Sequence, residues 1–77
     1  MTLKILTPEW NRTVETDAVF VPGALGEFEM LRGHAPLIST LTGGDVKWRE
    51  DGELKKLRVS GGVVRCFDDE IQLCVTV

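Results

Sequence analysis

The chain has 77 residues, enough for one domain, 1–77, with one small core. Hydrophobic residues supply 43% and charged residues 27%, which excludes a disordered chain, and no apolar run approaches the ~18–20 residues of a membrane-spanning helix. With 9 basic against 12 acidic residues and a net charge of −3, it lacks the basic surplus of a nucleic-acid binder.

The opening, MTLKILTPEW, has one lysine and a short apolar-rich stretch that Pro8 interrupts. That is too short for a signal-peptide core and reads as a first strand near 2–7, with the chain on the cytosolic side. Glu9–Val21 lacks glycine and proline but carries Thr13, Val14, Thr16, Val19 and Val21, β-branched residues that favour strands, here near 12–16 and 17–22. Pro22-Gly23 then opens a segment with strands near 27–31 and 36–41. In Asp45-Val46-Lys47-Trp48-Arg49, Val46 and Trp48 face one way and three charges the other, a strand near 45–50. Lys56-Leu57-Arg58-Val59 repeats the pattern in a strand near 54–60. Strands near 62–67 and 71–76 follow, split by Asp68-Asp69. No stretch shows a helical apolar stripe. Short alternating strands between turns predict an all-β antiparallel sandwich or barrel.

The last hairpin separates the two cysteines. With Asp68-Asp69 as a two-residue loop, Phe67 faces Glu70, Cys66 faces Ile71 and Val63 faces Cys74. Cys66 and Cys74 then point to opposite faces and cannot form a disulfide; both are expected to be small apolar fillers. Two cysteines and one histidine, His34, are too few for a structural zinc site.

The segment from Pro22 to Leu37, PGALGEFEMLRGHAPL, is unlike ordinary turn sequence. Three glycines and two prolines punctuate it, yet Leu25, Phe28, Met30 and Leu31 are too apolar for an idle loop. It reads as tight turns around one short strand, or as a rim that presents side chains to a partner. The string PGALGEFEMLRGHAPLIS resembles the segment PG-x-x-GEFGVLPGHAPLLT of epsilon subunits of F-type ATP synthases. Ser60-Gly61-Gly62 stands where that family has SGG, and Leu3–Glu9 is similar to its first strand and turn. The resemblance covers the whole chain, with one residue fewer between Glu9 and Asp17.

The resemblance implies a β-sandwich of about ten short strands, the family's amino-terminal domain. It implies a non-catalytic central-stalk rotor subunit, with no cofactor, that couples the gamma subunit to the ring of c subunits during proton-driven synthesis. It places the protein peripherally on the cytoplasmic face of the membrane, without direct insertion. Carried over by position, the rim facing the c ring comprises Glu27, Phe28, Glu29, Met30, Arg32 and His34. The gamma-facing positions are Thr7 and Ser39. Glu29 and Arg32 depart from the family's usual Gly and Pro, which makes the rim more ionic and its contacts more salt-dependent. The family continues into two helices that sense nucleotide and inhibit hydrolysis. This chain ends at Val77, so the expectation is a short form without that arm and without nucleotide binding.

Other readings fare less well. His34 between Gly33 and Ala35-Pro36 reads as a turn histidine bonded to nearby backbone, because a general base needs a nucleophile or an orienting partner. Glu27 and Glu29 alternate on one strand face and form a solvated edge rather than an acid–base pair. Lys47, Arg49, Lys55, Lys56 and Arg58 with Trp48 have the flavour of a single-strand nucleic-acid platform, but Glu50, Asp51 and Glu53 among them favour a mixed solvated face, with Trp48 in the core. The alternative function is a free-standing sandwich adaptor that binds a partner by edge-strand addition.

Overall fold

A computed structural model describes all 77 residues. It contains nine strands and no helix: β1 (Thr2–Leu6), β2 (Asn11–Glu15), β3 (Ala18–Gly23), β4 (Gly26–Leu31), β5 (Leu37–Leu41), β6 (Gly44–Glu50), β7 (Glu53–Val59), β8 (Gly61–Phe67) and β9 (Glu70–Thr76). Each strand falls where alternation and turn residues predict one. The count is nine rather than about ten.

The strands form one continuous sheet that curls into two layers. One layer is β2-β1-β9-β8-β5 and the other is β4-β3-β6-β7, joined where Gly23 of β3 pairs with Leu41 of β5. Seven of the strand pairings are antiparallel, but β1 and β9 run parallel, so the sheet is mixed and not purely antiparallel. Hairpins dictate antiparallel neighbours only between consecutive strands. β1 and β9 lie side by side in one layer without a hairpin between them, so nothing local fixes their relative direction.

Alternation selects the core. Leu3 and Ile5 of β1, Val19 and Val21 of β3, Met30 of β4, Val46 and Trp48 of β6, Val64 and Cys66 of β8, and Ile71, Leu73 and Val75 of β9 join one cluster of 16 buried residues. Fully burying a Leu, Ile or Val contributes roughly 1.5–3 kcal/mol, so this shared interior is what holds the layers together. Every buried side-chain polar atom has a hydrogen-bond partner. At the open side of the sandwich, the Arg12 guanidinium of β2 bonds the Glu50 carboxylate of β6 and links the layers.

The last hairpin has the predicted register. Phe67 pairs with Glu70, Cys66 with Ile71 and Val63 with Cys74. Asp68 and Asp69 both take positive φ, 51° and 58°, the geometry of a type I′ turn. Both cysteines are free. Cys66 is a core filler, but Cys74 is exposed. That corrects the expectation for Cys74: two residues on opposite faces of one layer cannot both reach the same core. Gly62 has φ 152°, and a Cβ there would lie 2.3 Å from the Cys74 carbonyl oxygen. The glycine pair after Ser60 therefore permits the close approach of β8 to β9.

Candidate interaction surfaces

The segment after β4 is a tight turn. Leu31, Arg32, Gly33 and His34 form it, with the His34 N–H donating to the Leu31 carbonyl at 3.0 Å. Gly33 has φ 81°, as the third position of a type II turn requires. Arg32 occupies the second position, where proline is favoured. His34 is half-buried, and its Nδ1 lies 2.7 Å from the Ala35 carbonyl oxygen, the local backbone bond expected of a turn histidine. The type I′ turn of the last hairpin sits against this loop. Asp69 Oδ1 accepts the Gly33 N–H at 2.7 Å. Together the two turns line an open depression, with half-exposed Phe67 at its wall.

β4 itself is an edge strand, paired only with β3. Glu27 and Glu29 point outward, are exposed, and form no ion pair within 4.0 Å. Phe28 is partly buried against the core and Met30 is fully buried. The expected rim thus divides. Glu27, Glu29 and Arg32 are presented to solvent and His34 stands in the turn, while Phe28, partly exposed, packs against the core and Met30 is fully buried. The alternation Glu-Phe-Glu-Met in the sequence already carried this signal. Nor do these residues form one cluster: Glu27 lies about 13 Å along the strand from Leu31, at ~3.3 Å per residue.

Thr7 and Ser39 lie toward the same end of the other layer, on or beyond β1 and β5. Thr7 is occupied locally: its hydroxyl donates to the Trp10 carbonyl at 2.8 Å and accepts the Trp10 N–H at 3.0 Å. Ser39 is half-buried, shares the inward register of Leu37 and Leu41, and donates to the Thr40 carbonyl at 3.1 Å. The outward surface between them is apolar. Leu6, Cys74, Val63 and Thr40 form one row across four strands, by their pairing register. Ile38, 74% exposed, stands in the next row, whose other members, Arg65, Gln72 and Lys4, are polar and bound the apolar row on that side. Sequence reasoning missed this band, although Ile38 and Val63 alternate with residues of the inner face.

The basic residues of β6 and β7 are largely compensated: Arg49 pairs with Asp17, Lys55 with Glu53 and Arg58 with Asp45. Trp48 is 4% exposed and belongs to the core. No group of three or more His, Cys, Asp or Glu could hold a metal ion, and no helix is long and apolar enough to cross a membrane.

A two-layer sandwich with an ionic edge, a paired-turn depression and an apolar outer row defines the class as an all-strand β-sandwich domain. The whole chain, residues 1–77, matches the family described as "ATP synthase, Delta/Epsilon chain, beta-sandwich domain". The chain belongs to that family. It is 36% identical over 73 residues to the ATP synthase epsilon chain of Desulfitobacterium hafniense (strain DSM 10664 / DCB-2), covering 94% of this chain and 55% of that one. The epsilon chain of Symbiobacterium thermophilum is 37% identical over 73 residues, 92% of this chain and 52% of the relative. The chain thus spans about half the length of the curated relatives it matches. Among solved structures, a chain of the Tetrahymena thermophila mitochondrial ATP synthase central stalk and c-ring shares the fold, with a TM-score of 0.85 at 16% identity over 100% of this chain and 63% of that one. A chain of the Euglena gracilis mitochondrial ATP synthase does so with a TM-score of 0.89 at 18% identity, covering 97% of this chain and 49% of that one.

Proposed function

We propose that the chain is a non-catalytic rotor element of the ATP synthase central stalk, coupling the gamma subunit to the c ring while other subunits carry out proton movement and ATP chemistry. One observation carries the reading: two exposed surfaces of different chemistry are held on one hydrogen-bonded sandwich. The first is the rim of Glu27, Glu29, Arg32 and the Gly33-His34 turn, exposed or half-buried along the β4 edge. The second is the largely apolar outward row of Leu6, Cys74 and Val63, with Ile38 diagonal to Val63, near Thr7 and Ser39. The rim is ionic and suits polar loops of the ring; the band is apolar and suits a more permanent partner, gamma. A sandwich transmits force between them because its layers share one core and have few loosely held segments.

The test is capture and reconstitution. Tagged protein should bring down gamma and c subunits and restore coupled proton pumping to membranes stripped of the native subunit. Capture of neither subunit, with no recovery of coupling, overturns the reading. A second reading, strand addition to the open edge of β4, has that unpaired edge in its favour. The outward carboxylates of Glu27 and Glu29 weigh against it, since charged edge residues guard against pairing. It predicts capture of an extended peptide without synthase subunits.

A further inference from the structure

We propose that Asp69 is the positioning residue of the rim, holding the Gly33-His34 turn in its partner-ready shape from the tip of another hairpin. This deepens the rotor reading and rests on it for the identity of the partner.

The turn has little else to hold it. Within it, only the His34 N–H to Leu31 carbonyl bond and the His34 Nδ1 to Ala35 contact restrain the backbone. A type II turn leaves the N–H of its third residue pointing away from the turn. Here that N–H belongs to Gly33, and Asp69 Oδ1 accepts it at 2.7 Å. An ionised acceptor makes this the stronger kind of hydrogen bond. It joins residues 36 positions apart, so it ties the rim to the β8–β9 ladder and hence to the core.

The backbone of Asp69 argues that its side chain is there for a reason. Its φ is 58°, in the third position of a type I′ turn, where glycine is the favoured residue. Turn chemistry alone would select glycine. An aspartate there accepts a less favourable backbone and delivers a carboxylate to the neighbouring loop. Asp68, with φ 51°, takes the second position of the same turn but makes no such bond.

Two substitutions separate the roles. Asp69→Gly suits the hairpin turn and removes the acceptor. Asp69→Asn tolerates the same backbone and keeps a carbonyl oxygen acceptor while removing the charge. Amide exchange of Gly33 is measured by NMR on the whole chain, beside urea unfolding. Capture of c subunits is measured with depleted membranes. For Asp69→Gly, the expected result is unchanged or higher global stability, Gly33 exchange roughly tenfold faster or more, and weaker capture. Asp69→Asn should stay within about threefold of the parent in both. Unchanged Gly33 exchange in Asp69→Gly overturns the proposal. Equal loss of capture in both variants, with Gly33 still protected in Asp69→Asn, also overturns it, because the charge itself then meets the partner. If the parent captures no synthase subunit, the rotor reading fails, while the exchange comparison still decides whether Asp69 holds the turn.

Discussion

The indole Nε1–H of Trp48 donates to Oε1 of Glu50 at 2.9 Å, two residues along the same strand. Glu50 also accepts from Arg12, so one carboxylate anchors a core tryptophan and fastens the two layers. The Trp48 bond foremost, with Arg12 and Lys55 adding, holds the Glu50 carboxyl below its usual range. Glu70 is lowered in the same way, first by Lys4 and then by Gln72. A carboxyl whose folded pKa lies below its unfolded value stabilises the fold above the unfolded value. That contribution is lost as pH falls through the folded value. Urea midpoints should therefore hold from neutrality down to the ordinary carboxylate range and then drop. Glu50→Gln should flatten part of that drop, and an unchanged pH profile in this variant would contradict the assignment.

Arg32 sits where proline fits best. Its N–H makes no hydrogen bond, and Leu31 before it is already extended, as a residue preceding proline must be. Arg32→Pro should stabilise the domain by about 0.4–1 kcal/mol by restricting the unfolded chain. Denaturant unfolding checks this; a loss of stability would mean the turn is not type II in solution.

Gly62 should tolerate no side chain. A Cβ would meet the Cys74 oxygen at 2.3 Å and the Val75 Cα at 2.8 Å. Gly62→Ala combines that clash with a strained φ and is expected to cost roughly 3 kcal/mol or more. Thermal unfolding of the variant reads the effect directly.

The two thiols should behave differently. Burial pushes the Cys66 thiol up, and the Asp69 charge adds to the shift, so little thiolate forms. Cys74 is exposed between Leu6 and Val63. An alkylating reagent should modify Cys74 in the native protein and Cys66 only after unfolding, as mass spectrometry would show. Bound gamma subunit should protect Cys74 if the apolar band is its seat.

The inward and outward residues of β4 should separate cleanly. Met30→Ala empties a fully buried site and should cost about 2–5 kcal/mol. Glu27→Ala, on the solvent side, should stay within about 0.5 kcal/mol while weakening capture of the ring. If both variants lost capture with stability intact, Met30 would have to be exposed after all.

Much of this architecture was legible in the residues. Alternation in Val46-Lys47-Trp48 and Ile71-Gln72-Leu73 identifies strands because period two reports directly which side is wet. The Asp68-Asp69 loop fixed the register that parts Cys66 from Cys74. The neighbour of β1 was not legible. A pattern of period two says which face is buried, never which strand lies alongside. Position matching also assigned Phe28 and Met30 to the rim without asking which way each side chain points. The bond between Asp69 and Gly33 leaves no trace in sequence, since a side chain reaching a distant backbone amide imposes no periodicity.

The parallel seam between β1 and β9 also bears on how the molecule comes into being. Leu3 and Ile5 need Ile71 and Leu73 beside them, and those partners are synthesised at the far end of the domain. Until then the first hairpin is a two-stranded ribbon with a bare apolar face, too small to stand alone. Folding must await the closing strand and is set by the slow search for a contact spanning nearly the whole domain. Until β9 is made, the apolar faces of the earlier strands lack part of the core that covers them.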